Sequence, residues 1–275
     1  KPLPFDFTRA SSATVVNKDG LIETVGSGEP RIDFNNDAKG ALLLEPSRTN
    51  SLLQSNQFDT TWVIGASALS LTSGQSGVYG SNDAWLLKKN STGSRYIQQA
   101  VSLSSAQYSY SVYLKAESTN WVLIWSYDGS TGVEAYFDLE NGVVGDTGGS
   151  NLDSTNIESV GNGWYRCTLT YTRPTTLVRI YPADVNGSVS PSDDNGIYIQ
   201  HAQLESNASY PTSIIPTNGS AVTRIADACN NSANAQVINS TEGVLYAQIS
   251  ALSDSGDTYR LIGLNNGSGT NTNRI

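Results

Sequence analysis

GIYIQHAQLESNASYPTSIIPT, residues 196–217, is the stretch on which the fold turns. Ile197, Tyr198 and Ile199 are β-formers, and Ala202 and Leu204 continue an inward-facing pattern. The Pro-punctuated tail from Tyr210 to Pro216 then forbids further regular pairing. The stretch reads as the last strand of a β-sandwich and its exit. Ile197 and Ile199 share one parity, whereas Ala202 and Leu204 share the other, so a bulge near Gln200 and His201 is needed for both pairs to face the core. Residues before it form a closed unit that this strand completes.

Working back from that strand, residues 51–217 carry the pattern of short antiparallel strands. In QYSYSVYLKA, Tyr108, Tyr110, Val112 and Leu114 fall on one face, and Ser109, Ser111, Tyr113 and Lys115 on the other. WVLIWSY (121–127) is apolar on both faces, and Trp121 and Trp125 are read as core. Val133, Ala135, Phe137 and Leu139 alternate with Glu134, Tyr136 and Asp138. Tyr165, Cys167, Leu169 and Tyr171 alternate with Trp164, Arg166, Thr168 and Thr170. Turn signals at Asp128-Gly129 and Asn141-Gly142 imply hairpin connections. With 177–181 and the closing strand, about eight strands result, the number expected of a two-sheet jelly roll. Ahead of this unit, residues 1–50 read as two hairpins, Ala13–Val16 with Leu21–Val25 and Arg31–Phe34 with Ala41–Glu45. They are too small for a core of their own and need a surface to pack on. Residues 218–242 read as a linker in which Val222, Ile225 and Ala228 mark a short docked turn or nothing regular. From Gly243 a new β pattern begins.

Composition narrows the function. Only 15% of the 275 residues are charged, Gly is abundant, and the net charge is -9. That suits short strands with many turns in an extracellular all-β module, and it excludes a cationic face for nucleic acid. No apolar run is long enough to span a bilayer, so membrane insertion is not expected. Cys167 and Cys229 are read as unbridged. The absence of methionine points to a missing leader or to a piece of a longer polypeptide.

FTRASSATVVNKDGLIETV, GEPRIDF and GALLLEPSRTN, within residues 5–50, resemble a recurrent segment of phage and prophage tail-fibre, tailspike and appendage proteins. The segment 51–217 resembles carbohydrate-binding modules of the galactose-binding-like jelly-roll type through NSLLQSNQFDTTW, YSYSVYLKA, AYFDLENG, GNGWYRCTLTYT and GIYIQHAQLE with YPTSIIPT. Residues 243–275, GVLYAQISAL onward, look like the opening strands of a concanavalin A-like, laminin-G-like sandwich. The resemblance implies a virion appendage exposed outside the cell, a homo-oligomer with a trimer favoured, and partners that are host-surface glycans and other virion proteins. The alternatives are an accessory carbohydrate-binding module of a secreted polysaccharide-degrading enzyme and a purely architectural virion module.

Candidate chemistry follows the same division. No hydrolase or P-loop motif is present, the one histidine, His201, reads as a hydrogen-bonded structural residue, and the acidic pairs Asp138/Glu140 and Asp193/Asp194 read as turn residues. The chain is therefore expected to be no enzyme. Sugar binding needs aromatic faces with a few placed polar groups. Opposite the core lie Tyr113, Tyr136, Trp164 and Arg166, with Arg179 and Tyr181 on a further strand. These six are the expected carbohydrate site, or else the surface on which the N-terminal hairpins pack. The jelly-roll resemblance also implies a structural calcium between first and last strands, for which Asn56, Asp59, Gln203 and Glu205 occupy the matching ends. The competing reading is that they cap turns.

Overall fold

Strict alternation builds the centre of the molecule. Tyr108, Tyr110, Val112 and Leu114 point one way along one strand, and Cys167, Leu169 and Tyr171 point the same way along its antiparallel neighbour, all 2% exposed or less. The computed structural model describes residues 5–35, 37–65, 68–190, 192–230 and 249. The expected concanavalin A-like segment lies outside the described residues apart from Ile249. Six short strands come first: β1 (Asp6–Thr8), β2 (Ala13–Val16), β3 (Ile22–Val25), β4 (Arg31–Asp33), β5 (Ala41–Leu43) and β6 (Arg48–Asn50). Ten more follow: β7 (Val63–Ile64), β8 (Leu69–Gln75), β9 (Ala84–Lys89), β10 (Ile97–Ala116), β11 (Trp121–Tyr127), β12 (Gly132–Asp138), β13 (Val143–Gly148), β14 (Leu152–Gly161), β15 (Trp164–Ala183) and β16 (Gly196–Ser206). Then come β17 (Val222–Arg224) and β18 (Ala228–Asn230). Every described pairing is antiparallel, so the all-β jelly-roll sandwich expected from the sequence is the architecture observed.

β10 and β15, each 20 residues long, run through both layers of the sandwich. Their pairing slips between Ala100 and Leu103 and again between Leu103 and Ala106. Across the slip the inward parity changes: Ile97 and Ile180 face the core on one side of it, and Tyr110 with Leu169 on the other. The first layer is β13-β12-β11 with the C-terminal half of β15, the N-terminal half of β10 and β7 at its edge. The second contains β14, the other halves of β15 and β10, and β16 flanked by β9 and β6. Val122, Ile124 and Phe137 of the first layer and Leu169, Ile199 and Leu204 of the second belong to one core. Each such side chain contributes roughly 1.5–3 kcal/mol on burial.

The closing strand bends where its parity requires. Ser111 pairs with Gln203 but Tyr113 with Gln200, which leaves one extra residue in β16. His201 occupies the irregularity with a φ of 47°, and Ile197, Ile199, Ala202 and Leu204 are all fully buried. The released backbone amides are satisfied by the segment between β6 and β7: His201 N–H donates to Asn56 Oδ1 (3.1 Å) and Ala202 N–H to the Ser55 carbonyl (2.8 Å).

The N-terminal hairpins, together with β6, β17 and β18, form a collar on the outer face of the second layer. Val16 and Ile22 of β2–β3 pack on a cluster containing Tyr79, Tyr113, Trp164 and Ile214, and Thr14 Oγ1 donates to the Ile214 carbonyl (2.6 Å). β17 pairs with β6 and β18 with β1, so the stretch expected to be a linker is docked over residues 222–230. Ion pairs seal the assembly: Arg9 Nη1 to Asp227 (3.0 Å), Arg31 Nη1 to Glu45 (2.7 Å), Arg31 Nη2 to Asp227, and Arg224 Nη1 to Glu45 (2.7 Å). Burial alone would raise the Glu45 pKa, but Arg224 and Arg31 outweigh it and hold the carboxyl below its usual value. A carboxylate depressed in the folded state contributes stability above its unfolded pKa, and the contribution is lost as pH falls through the folded value. Glu45→Ala is expected to lower stability at neutral pH by about 3–5 kcal/mol, as for a buried pair losing one partner. Denaturant titrations of both proteins should draw together as the pH falls through the depressed folded-state pKa of Glu45, where the wild-type carboxyl becomes protonated.

Candidate functional site

The outer face of the first layer carries a row of side chains set by register. Glu134 of β12 lies opposite Trp125 of β11, Trp125 opposite Arg179 of β15, Arg179 opposite Gln98 of β10, and Gln98 opposite Val63 of β7. At the strand spacing of about 4.8 Å this row spans about 19 Å. The next row is Tyr136, Leu123 and Tyr181. Each of these residues is outward because its sequence neighbours (Val133 and Ala135, Ile124, Val178 and Ile180) fill the core.

Arg179 is the centre of the face. Its Cζ lies 4.1 Å from the Tyr96 ring centroid and 4.5 Å from that of Trp125, so two aromatic faces hold the cation. Its Nε donates to Gln98 Oε1 (2.9 Å) and its Nη1 to the Tyr181 hydroxyl (3.0 Å), which fixes the plane of the guanidinium. Trp125 stacks on Tyr127 at 5.1 Å and 17°, and Tyr96 meets Tyr181 at 4.9 Å. Two close approaches are possible only because glycines lie beneath: a Cβ on Gly132 would fall 2.1 Å from Trp125 Nε1, and one on Gly65 would fall 1.8 Å from the Tyr96 ring. Burial raises the Glu134 pKa. Burial also pushes the Tyr181 phenol up to about 12, against the pull of Arg179.

A loop after β15 walls one end of this face. Lys89, fully buried, donates to Asp184 Oδ1 (3.2 Å) and to the Val189 carbonyl (2.9 Å), while Asp184 also accepts from Asn195 and from Ser192 N–H (3.1 Å). Val189 packs on the cluster of Leu123, Tyr136, Tyr181 and Ala183, as do Trp121 and Trp125.

The six residues expected to form one site are divided between the two outer faces. Tyr136, Arg179 and Tyr181 lie on the face just described, where Tyr136 and Tyr181 are buried, 7% and 6% exposed, and Arg179 is partly exposed. Tyr113, Trp164 and Arg166 are 4%, 1% and 8% exposed under the collar, where Arg166 donates to Ser111 Oγ (3.1 Å) and the Thr212 carbonyl (2.8 Å). For these three the packing surface, and not an open sugar platform, is what the structure contains. All six do oppose the core, but the slip in β10 and β15 puts the halves of those strands in different layers. Conversely Trp121 and Trp125, read from sequence as core, are on the outer face and partly exposed. Tyr96, Gln98 and Glu134 were also missed. The available signal was parity, because Val122, Ile124 and Ser126 alone satisfy the inward side of β11.

The four side chains expected as calcium ligands each accept a hydrogen bond from the protein itself. Glu205 accepts from Thr212 N–H (2.8 Å) and from its hydroxyl, and Gln203 Oε1 accepts from Ile215 N–H (2.7 Å). Asn56 Oδ1 is taken by His201 N–H, and Asp59 accepts from Gln57 at the surface. Glu205 and Gln203 instead hold the tail 212–215 against the closing strand, and burial raises the Glu205 pKa. Among the described residues no three His, Cys, Asp or Glu side chains gather as metal ligands. Asp138 caps the turn at Glu140 and Asn141, and Asp194 pairs with Lys88 (3.0 Å) at the surface. His201 is held near pKa 4 by burial and Arg166, with Asp83 opposing.

No protein-family model and no curated protein matches the chain. Solved structures resemble it distantly. A family 29 carbohydrate-binding module complexed with cellulohexaose aligns over 60% of this chain and 94% of its own at 10% identity and a TM-score of 0.35. A family 61 module complexed with β-1,4-galactotriose covers 56% and 97% at 13% identity and a TM-score of 0.36. The CBM22-1 and GH10 modules of a Clostridium thermocellum endo-1,4-β-D-xylanase, with xylohexaose, cover 58% and 28% at 16% identity and a TM-score of 0.35. All three TM-scores fall below 0.5, and no ligand is carried across from these structures.

Gly132→Ala is expected to swing the Trp125 ring off Tyr127 at a stability cost of roughly 1–3 kcal/mol from overpacking. The near-ultraviolet circular dichroism of the Trp125–Tyr127 pair should weaken while the far-ultraviolet spectrum stays unchanged.

Proposed function

We propose that the protein is a non-catalytic glycan-binding module of a phage-type fibre, spike or other appendage, and that the Glu134–Trp125–Arg179–Gln98 row is its binding face. The observation that carries the reading is the fixed Arg179 between two aromatic rings. Pyranose rings present apolar faces and a rim of hydroxyls, so a ligand of this kind needs flat aromatic surface beside rigid donors and acceptors. Trp125 and Tyr96 supply the surface, Arg179 and Gln98 the donors, and Glu134 the acceptor. One cation and one carboxylate in the row suit a neutral glycan. Weak single sites gain avidity when several copies act together, which fits an oligomeric appendage. The collar phrases within residues 5–50 favour the appendage over an accessory module of a secreted enzyme.

Glycan-array binding by the full chain is the test. Trp125→Ala and Arg179→Ala are each expected to weaken binding at least tenfold, whereas Tyr113→Phe, under the collar on the other layer, should leave it unchanged. A folded wild-type protein that binds no neutral glycan would sink the reading, and loss of binding in Tyr113→Phe alone would move the site. Sequence flanking this chain in its source separates the two settings: a fibre or trimerisation segment supports the appendage, and a polysaccharide-degrading catalytic domain supports the enzyme accessory.

A further inference from the structure

Lys89 is the only lysine buried among the described residues. Its side chain lies fully inside at the end of β9, where Nζ donates to Asp184 Oδ1 (3.2 Å) and Oδ2 (3.4 Å) and to the Val189 carbonyl (2.9 Å). Lysine is almost never buried whole without a partner, and this partner is itself 2% exposed.

A third group joins the pair. Gly196 pairs with Lys88, and Lys89 N–H donates to the Asn195 carbonyl at 2.8 Å, so the ladder of β9 and β16 continues by one step and sets residues 89 and 195 opposite each other. Residues so placed on adjacent strands have Cβ atoms about 4.5–5.5 Å apart. The Asn195 side chain turns toward the same carboxylate: its Nδ2 donates to Asp184 Oδ1, and also to the Ala183 carbonyl (3.3 Å). Amine, carboxylate and carboxamide therefore meet at one oxygen, Asp184 Oδ1. An ion pair needs only the first two. All three together are the parts of an acyl transfer: a nucleophile, an acyl group, and an acid–base group bonded to both.

We propose that Lys89 Nζ and Asn195 Cγ condense into an intramolecular isopeptide bond, with Asp184 as the acid–base group. The Asp184 carboxylate takes a proton from the Lys89 ammonium, and the freed amine attacks Asn195 Cγ. Rotating the amide by half a turn presents its Oδ1 to the Asp184 carboxyl, which donates to that oxygen as it gains negative charge. Collapse leaves the new Nζ–Cγ bond and breaks Cγ–Nδ2. Nζ keeps one of its three protons. The other two pass through Asp184 to Nδ2, which departs as ammonium, and Asp184 ends as the carboxylate it began as. No oxidant or reductant is needed. Asn195 is partly exposed, which gives the ammonium a way out to solvent. The bond would tie β9 to the start of the closing strand, and it does not depend on glycan binding.

The intact mass of the full chain, followed by peptide mapping under denaturing conditions, tests this. The wild-type protein is expected to be lighter than its sequence mass by one ammonia. Its tryptic digest should contain a branched peptide joining Lys89 to Asn195, with no cleavage after Lys89. Asp184→Asn, which keeps the side-chain shape and removes the acid, and Asn195→Ala should each show their full sequence mass. The wild-type measurement decides the matter even where a variant does not fold. A wild-type chain at its full sequence mass would overturn the proposal. So would loss of ammonia without the branched peptide, as from succinimide closure at Asn195-Gly196, or loss of one water with Lys89 joined to Asp184. An undiminished cross-link in Asp184→Asn would overturn the role given to Asp184.

Discussion

The period of two along β10 and β15, and the slip that interrupts it, governs the rest of this molecule. A strand must present alternate side chains to opposite faces, and two strands of 20 residues cannot stay flat over that length while closing a sandwich. The slip near Leu103 lets each strand turn from one layer into the other with its apolar side still inward. One core results, with Tyr171 of the second layer accepting a hydrogen bond from Ser126 of the first at 2.8 Å. It also leaves two outer faces of similar composition, each rich in aromatics with an arginine among them.

Those two faces meet different fates. On the second layer Arg166 lies 5.3 Å from the Tyr113 ring, and the collar seals both away from water. On the first layer Arg179 has two aromatic neighbours and remains at the surface. Both faces set an arginine against aromatic rings, and coverage by the collar is what separates them. The collar needs an apolar seat because its hairpins cannot form a core alone, and the seat it takes is one that would otherwise be an exposed aromatic face.

Much of this was legible in residues. Alternation in QYSYSVYLKA and WYRCTLTYT gave the inward sets that are buried, and the parity clash between Ile199 and Ala202 located the bulge at His201. The hairpins at 13–25 and 31–45 followed from turn chemistry at Asn17 to Gly20 and around Gly40. What could not be read was which layer an outward residue belongs to, because that depends on where two long strands change layers together. Hence Tyr136 and Trp164 seemed to share a face. A docked turn over 222–228 was legible from Val222, Ile225 and Ala228, but what holds it was not: Arg224 and Asp227 sit in a polar stretch, and their partners Glu45, Arg31 and Arg9 are far away in sequence.

The β1–β18 pairing sets how the collar bears load. Asp6 lies opposite Asn230 and Thr8 opposite Ala228, so tension applied at Asp6 and Asn230 acts on one end of an antiparallel ladder. Such a pull peels the ladder bond by bond, and not all bonds at once as sliding two strands past each other would require. Directly behind the last of these bonds stands the Arg9–Asp227 pair, buried and tied into Arg31 and Glu45. Under tension the short ladder yields first and the ionic lock next, while the long pairing of β10 with β15 lies outside the line of force.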